Sequence, residues 1–429
     1  MLHSRPTIKL GVGLLGSVAL SLSGFLPVAA QPNTGAPDKY IVVLRDGNDP
    51  LAISQQHANI HALNVGFVYK SALKGYAARI PAQRLSALAR DPRVLFISED
   101  RPVKATGQTL PTGVNRIQGD LSSTKAGNGT GTINLPVAII DTGIDIRHRD
   151  LNVVGGKNCS TGGTSFDDGN GHGTHVAGTV AAKDNGAGVV GVAPGTPLYA
   201  VRVLDDTGSG SWSSVICGID WVTANAANSG IKVVNRSLGG SGSDDGSCGN
   251  INGDAMHKAI CASVAKGLTY VVAAGNNAQD FATSVPAAYN EVLTVTAIAD
   301  FNGQPGGSAA PTCSANLDDT AADFSNFTTI ASNDESHTIA ASGVCINSTW
   351  GGRSYNTISG TSMASPHIAG TAALCIASGA CSGLTPNQII AKLRNDAAAQ
   401  PMSYGFTYFS NSPNDTTRYY GSLGYAGGY

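Results

Sequence analysis

Three polar residues could supply an acid, a base and an alcohol to one site: Asp141, His172 and Ser362. An alcohol becomes an effective nucleophile when an imidazole takes its proton and a carboxylate fixes the tautomer of that imidazole. Each residue alone also has a structural explanation, because an aspartate after a strand forms caps and turns and a serine at a helix start is a common N-cap. Together they predict acyl transfer through a serine nucleophile.

The residues next to His172 and Ser362 would let other parts of the chain come close to these two side chains. His172 stands between Gly171 and Gly173, where a predicted helix begins. Gly360 lets the chain turn sharply before Ser362. The amide of Ser362, at the start of a second predicted helix, would point at developing negative charge.

His175 follows His172 by one helical turn, so the two imidazoles could also belong to a metal site. No HExxH pattern and no third ligand accompanies them, and zinc sites in proteins use three or four protein ligands. We therefore expect His175 to be buried and hydrogen-bonded in a structural role.

The elements that must position these residues alternate between short apolar strands and helices. Continuous β-branched runs are typical of parallel strands that are covered on both faces. Strands are predicted at 135–140, 198–204, 231–235, 268–274 and 292–299, and helices at 172–182, 212–227, 254–266, 362–376 and 386–397. The fold class is therefore α/β with a doubly wound, mostly parallel sheet, and its reactive crevice lies beyond the carboxyl ends of the strands.

A smaller unit precedes this domain. Residues 38–104 alternate as strand, helix, strand, helix and strand, which predicts a small α+β domain. Residues 1–106 carry 12 Lys and Arg against 6 Asp and Glu, whereas the rest of the chain carries 15 against 23. The opposite charges favour attraction between the two parts and argue against a nucleic-acid-binding surface on the larger one.

Residues 1–30 have the pattern of an export signal, with a basic start, an interrupted apolar run and small residues at Val28, Ala29 and Ala30. A membrane anchor is the alternative, but no later segment reaches the ~20 apolar residues that span a bilayer. We expect a secreted monomer without membrane attachment once the signal is removed.

All eight cysteines follow the signal and the small unit, and an oxidising destination predicts that they form disulfides. Sequence alone allows many pairings. Short separation along the chain favours Cys248–Cys261, Cys313–Cys345 and Cys375–Cys381, which leaves Cys159 with Cys217.

Residues 140–145, 171–178 and 360–366 closely resemble the three signature motifs of the subtilisin-like serine protease (subtilase) family, in the family's order of Asp, His and Ser. The resemblance spans 107–429 and implies an endopeptidase that forms an acyl-enzyme. Residues 31–106 resemble the family's ferredoxin-like inhibitory prodomain, with its core at 38–104. This implies a precursor that cuts itself near Thr106 and remains inhibited by its own prodomain.

The resemblance also implies roles for other residues. Asn276 corresponds to the side-chain donor of the oxyanion hole. The substrate-binding positions lie on the walls and near the floor of the family's cleft: Ser237, Leu238, Gly239, Ala273, Ala274, Gly275 and Ser284. Pairing with the substrate backbone accepts many sequences, which implies broad specificity for protein and peptide substrates. The small side chain of Ser284 implies a pocket that admits large apolar or aromatic residues.

The family's calcium site is matched as well. Its ligands would be side-chain and main-chain oxygens, which Ca²⁺ prefers. The matching positions are Gln108, Asp150, Lys183, Asn185, Ala187 and Val189. A solvated turn is the alternative explanation, and we expect a structural Ca²⁺ as cofactor.

Two alternative functions are compatible with the same residues. One is an esterase-type acyl hydrolase, and the other is a catalytically dead secreted binding protein. The prodomain and the peptide-pairing strand argue against the esterase. Every catalytic position holds the residue that catalysis requires, which argues against the dead protein. Residues 301–345 form an insertion atypical of the family, and the sequence gives it no function.

Overall fold

The computed structural model describes residues 39–100, 107–160, 163–406 and 417–429. The described residues divide into two compact units, with the boundary between residues 105 and 106. The predicted export signal lies outside the described residues. No helix in the described ranges has the length and apolar character needed to cross a membrane.

Within residues 39–100, the part of the first unit that the structure describes, the fold is an α+β domain of four strands and two helices. In chain order these are β1 (Lys39–Leu44), α1 (Pro50–His61), β2 (Asn64–Tyr69), β3 (Gly75–Arg79), α2 (Ala82–Ala89) and β4 (Val94–Glu99). The sheet order β2-β3-β1-β4, with antiparallel pairing, is ferredoxin-like. The sequence prediction of three strands was wrong because it missed β2, a strand at the sheet edge in which no residue is buried.

The second unit alternates strands and helices. The strands are β5 (Val137–Asp141), β6 (Val153–Asn158), β7 (Leu198–Arg202), β8 (Val233–Arg236), β9 (Gly240–Ser241), β10 (Thr269–Ala273), β11 (Ser284–Val285), β12 (Leu293–Ala299), β13 (Thr320–Ala321), β14 (Thr328–Thr329), β15 (Thr338–Ser342), β16 (Ile346–Trp350), β17 (Ser354–Ile358) and β18 (Arg418–Tyr419). The α-helices are α3 (Thr112–Arg116), α4 (His172–Ala181), α5 (Trp212–Ser229), α6 (Ala255–Val264), α7 (Thr361–Ala377) and α8 (Pro386–Ala398). Short 3₁₀ helices lie at Gly119–Leu121, Phe281–Thr283, Asn333–His337 and Met402–Tyr404.

The central sheet of this unit places its parallel strands in the order β6-β7-β5-β8-β10-β12-β15. The short antiparallel β13 also pairs with β12. Strand order reverses between β5 and β8, so the crevice of the fold lies at the carboxyl ends of these two strands. The predicted doubly wound α/β class is confirmed, and all five predicted strands and all five predicted helices are present.

The core has two layers because successive residues of each strand face opposite sides of the sheet. Ile139 packs in the layer that includes α4 and α7, and its neighbour Ile140 packs in the layer that includes α5 and α6. Both side chains are fully buried. Burial of a side chain of this size stabilises a fold by roughly 1.5–3 kcal/mol.

Local chemistry sets the helix boundaries. Ser211 and Ser214 form a capping box at the start of α5, and Gly230 ends that helix in the left-handed conformation with φ 75°. Thr385 caps α8, which begins at Pro386, where the missing N–H has little consequence.

Four disulfides join Cys159 to Cys217, Cys248 to Cys261, Cys313 to Cys345, and Cys375 to Cys381. Three of these pairs are those that short chain separation favoured and Cys159–Cys217 is the pair that was left, so the predicted pairing is confirmed.

Candidate active site

Asp141 is the last residue of β5, and its side chain is buried at the crevice. Its Oδ1 accepts hydrogen bonds from the N–H of Thr142 and from Nδ1 of His172, both at 2.7 Å. Its Oδ2 is buried and has no hydrogen-bond partner in the described structure. The carboxylate is therefore held by short contacts and lies against the imidazole.

His172 is the first residue of α4 and retains 27% side-chain exposure. The glycines beside it are required by space: a Cβ on Gly171, where φ is 110°, would lie 2.4 Å from the Trp350 ring. A Cβ on Gly173 would lie 2.1 Å from the carbonyl oxygen of Gly143. A larger residue at either position would force the backbone around His172 or one of these neighbours to shift.

The surroundings shift the pKa values of the two imidazoles of α4 in opposite directions. Burial lowers the pKa of His172, but the charge and hydrogen bond of Asp141 raise it more, so the net shift is upward. Burial lowers the pKa of His175 to about 4, and its Nε2 donates to the carbonyl of Ile346 at 2.9 Å. The structural role predicted for His175 is confirmed.

Ser362 lies in the first turn of α7, after Gly360 at φ 158°. Its hydroxyl donates to the carbonyl of Ser237 at 3.1 Å, and the Ser237 hydroxyl donates back to the carbonyl of Ser362 at 2.9 Å. Ser237 directly follows β8, the strand beside β5, and neighbouring strands lie about 4.8 Å apart. The structure thus places Asp141 at the end of β5 and Ser362 beside the end of the neighbouring strand β8. In this conformation the hydroxyl is bonded to the main chain rather than to His172.

Asn276 follows β10 on the same edge of the sheet. Its Oδ1 accepts hydrogen bonds from the N–H and the hydroxyl of Thr361, both at 2.9 Å. Because a main-chain N–H can only donate, these bonds fix which end of the amide is oxygen. The NH₂ group faces Gly360, and its nitrogen lies 3.5 Å from the position that a Cβ on Gly360 would occupy. Sequence reasoning missed Thr361, whose side chain sets this orientation.

A cleft of about 490 Å³ joins these groups. All seven substrate-binding residues predicted from the sequence line it, together with Asn276 and Ser362. One wall is made by β9 and β11, which pair antiparallel through Gly240 with Val285 and Ser241 with Ser284. The short β9–β11 ladder was missed because a two-residue strand carries no periodic signal.

The six residues predicted to bind calcium also lie together. The side-chain N–H groups of Gln108 donate to the carbonyl oxygens of Lys183 at 2.6 Å and Val189 at 3.0 Å. The Oε1 atom of Gln108 is buried without a hydrogen-bond partner in the described structure. An amide thus lies between two carbonyl oxygens that a cation could bind.

The remaining predicted ligands adjoin this amide. Asn185 donates from Nδ2 to Oδ1 of Asp150 at 3.1 Å and accepts at Oδ1 from the N–H of Ala187 at 3.0 Å. Burial raises the pKa of Asp150 despite its hydrogen bonds, so a nearby cation would favour its ionised form. The donor set consists of oxygens only and fits Ca²⁺.

Comparisons with known proteins agree with this geometry. The model of the subtilase family matches residues 132–421, and the model of peptidase inhibitor I9 matches residues 39–106. Subtilisin E of Bacillus subtilis (strain 168) is 34% identical over 377 residues, which cover 86% of this chain and 88% of that protein. Subtilisin DY of Bacillus licheniformis is 36% identical over 306 residues, which cover 70% of this chain and 95% of that protein.

Among solved structures, that of a cold adapted subtilisin-like serine proteinase matches with a TM-score of 0.54 and 30% sequence identity. The match covers 73% of this chain and 97% of that one. Over most of its length the chain is therefore similar in sequence and in fold to these proteins, and it belongs to the subtilase family of serine endopeptidases, made as a precursor with an inhibitor segment.

Proposed function

We propose that Ser362 is the nucleophile, His172 the general base and Asp141 the group that orients the imidazole. The 2.7 Å bond from Nδ1 of His172 to Asp141 carries this proposal. With Nδ1 protonated and donating to the carboxylate, the neutral imidazole has its lone pair on Nε2. Nε2 is the atom that removes the hydroxyl proton in a serine peptidase triad.

The first chemical step begins with the Ser362 hydroxyl. It leaves the carbonyl of Ser237, rotates about its Cα–Cβ bond and donates to Nε2 of His172. As Oγ attacks the scissile carbonyl carbon, the proton moves to Nε2, and the negative charge of Asp141 stabilises the resulting imidazolium. The upward shift in the pKa of His172 supports this step, because it favours the protonated ring.

The attack places negative charge on the carbonyl oxygen. Two donors can receive it: the side-chain NH₂ of Asn276 and the N–H of Ser362, which has no intrahelical acceptor in the first turn of α7. Collapse of the intermediate transfers the proton from His172 to the leaving amine and leaves an acyl-enzyme. Water, activated by the same imidazole, then releases the acid.

The Asn276→Ala variant tests the oxyanion role. We expect kcat on a peptide substrate to fall about 10²–10³-fold, as for the corresponding change in subtilisin, with little change in KM. The reason is that the amide stabilises charge that exists only in the transition state. Asn128→Ala, a change to an exposed turn, serves as control. A rise in KM at unchanged kcat would contradict the assignment.

We further propose that the enzyme accepts extended peptides along 237–239 and cleaves with broad specificity. Main-chain pairing recognises the backbone that all peptides share, so it discriminates little among sequences. The small side chain of Ser284 in the cleft wall leaves room for large apolar or aromatic residues on the acyl side of the cut. Cleavage-site mapping on casein checks this, and a strict requirement for basic residues would contradict it.

We propose the following organisation of the precursor: an export signal at 1–30, a prodomain at 31–106 and the catalytic domain at 107–429. The basic, interrupted apolar N-terminus supports secretion. The inhibitor model that ends at residue 106 supports the position of the cut. N-terminal sequencing of the secreted product would contradict this organisation if the mature chain began well inside either domain.

We propose that Ca²⁺ binds at Gln108, Asp150, Asn185 and the carbonyls of residues 183, 187 and 189. A ligand present at a free concentration of 100 times its Kd stabilises the fold that binds it by about 2.7 kcal/mol. EDTA should therefore shorten the half-life of activity at elevated temperature, and excess CaCl₂ should restore it. In an Asp150→Asn variant the half-life should be short with or without EDTA. A wild-type half-life that EDTA leaves unchanged would refute the site.

A further inference from the structure

A cluster of charged residues outside the active site surrounds His257, in the first turn of α6. The His257 side chain is fully buried and stacks on the ring of Tyr289, with centroids 3.9 Å apart and planes 1° from parallel. The loop that joins β9 to α6 brings Asp244 and Asp245 to one side of the imidazole, and Glu291 lies at the other. Nothing in the proposed reaction uses these residues.

The two nitrogens of His257 have different surroundings. Nε2 lies 2.9 Å from Oε2 of Glu291, which is a good hydrogen bond. Nδ1 is buried and has no hydrogen-bond partner among the described residues. It lies 3.6 Å from Oδ1 of Asp244 and 3.7 Å from Oδ1 of Asp245, and both distances are too long for a hydrogen bond.

The three facing atoms have the spacing of ligands around a metal ion. Nδ1 of His257 and one carboxylate oxygen each from Asp244 and Asp245 lie within 4.8 Å of one another. Ligand atoms at about 2.0–2.2 Å from a tetrahedral Zn²⁺ are separated by roughly 3.4 Å. The bond from Nε2 to Glu291 repeats the carboxylate–histidine arrangement that orients metal-binding imidazoles.

Backbone and amide hydrogen bonds hold both carboxylates in place. Asp245 accepts four main-chain N–H groups, from Ser247, Gly249, Ile251 and Asn252. Asp244 accepts the N–H of Gly246 at one oxygen and the side chain of Asn290 at the other. The ligands are therefore preorganised, which reduces the ordering that metal binding would require.

The electrostatics of the cluster favour a cation beside Nδ1. The carboxylates of Asp244 and Asp245 lie 3.6 Å and 3.7 Å from Nδ1 of His257, and the carboxylate of Glu291 lies 2.9 Å from Nε2. The site thus stabilises positive charge, which a proton or a metal ion can supply. Cys248 and Cys261 lie close by but are joined in a disulfide, so their sulfurs are not thiolate ligands.

We propose that Asp244, Asp245 and His257 bind a divalent transition-metal ion of the Zn²⁺ type, with water completing its coordination. An imidazole ligand favours zinc over calcium, which prefers oxygen ligands alone. The ion would tie the loop after β9 to α6, and β9 forms a wall of the substrate cleft. Its role would be to stabilise that wall.

The test is a zinc titration of the full-length chain carrying Ser362→Ala, which prevents self-digestion. With Ca²⁺ in excess, calorimetry with ZnCl₂ should show a saturable site that Asp244→Asn and His257→Gln weaken at least tenfold. The matched control is Asp205→Asn, another turn carboxylate that accepts main-chain N–H groups. Circular dichroism checks that each variant is folded, and asparagine at 244 can still accept the N–H of Gly246.

Crystals grown with zinc decide the location of the ion. An anomalous peak about 2.0–2.2 Å from Nδ1 of His257 and from both carboxylates would support the proposal. If the folded Asp244→Asn and His257→Gln variants bound zinc with wild-type affinity, the proposal would be wrong. The absence of saturable binding would also overturn it, and the cluster would then be a proton site.

Discussion

The Ser362→Ala variant is expected to accumulate as a full-length precursor and to lose essentially all peptidase activity. Alanine has no Oγ, so no acyl-enzyme can form. In subtilisin, loss of the serine lowers kcat about 10⁶-fold, and we expect a loss of the same order here. The same nucleophile would cut the junction near Thr106, so both reactions should fail together. Intact mass, N-terminal sequencing and a casein assay measure the two effects.

A fluorophosphonate probe separates the chemistry from folding. It should label the wild-type enzyme on Ser362 and leave the alanine variant unlabelled. The control is Ser213→Ala, a change to an exposed serine in the first turn of α5, which should mature and react normally. Labelling of the Ser362→Ala protein would refute the assignment of the nucleophile. Its maturation in the absence of other proteases would refute self-processing.

The positions of the side chains that we propose to be catalytic could be predicted because each depends on local sequence. Asp141 and Asn276 lie just after apolar runs that had to be buried strands, and Ser362 lies two residues after Gly360 at a helix start. The orientation of these groups could not be predicted in the same way. The amide of Asn276 is fixed by Thr361, 85 residues away, and the Ser362 hydroxyl by a carbonyl 125 residues away.

Two parallel strands of the central sheet, β6 and β15, were missed because glycine or small residues weaken the strand signal in their sequences. β6 contains Gly155 and Gly156, and glycine is depleted in strands. Here the close packing requires it, since a Cβ on Gly156 would lie 2.1 Å from the carbonyl oxygen of Ala200. β15 has small residues and lies within 301–345, the segment predicted to be an insertion, so part of that segment is core sheet.

A buried ionic cluster around Arg116 gave no signal in the sequence. The fully buried guanidinium lies 3.0 Å from a carboxylate oxygen of Asp300 and 2.8 Å from one of Asp319, a residue 203 positions along the chain. It also donates to the carbonyl of Tyr404 at 2.6 Å and lies over that ring, 5.1 Å from the centroid. One cation thus compensates two buried carboxylates and joins the start of the second unit to residues near its end.

The Arg116→Met variant is expected to lower the free energy of unfolding by about 3–5 kcal/mol. Methionine fills much of the space but leaves the carboxylates of Asp300 and Asp319 buried without their cation. The control is Arg147→Met, because Arg147 is 69% exposed and 3.7 Å from Asp167, so its loss should change stability by less than about 1 kcal/mol. Denaturant unfolding in the Ser362→Ala background measures both variants.

The loss of unfolding free energy in Arg116→Met should also depend on pH. Burial raises the pKa of Asp300 to about 7, although the N–H of Gly303 and the charge of Arg116 oppose the shift. A carboxyl with a raised pKa in the folded state contributes stability below about pH 4, and this contribution is lost as the pH rises through about 7. Without Arg116 the upward shift is larger, so the deficit should be greater at pH 8 than at pH 5. Equal deficits at the two pH values would show that lost packing, rather than lost charge compensation, destabilises the variant.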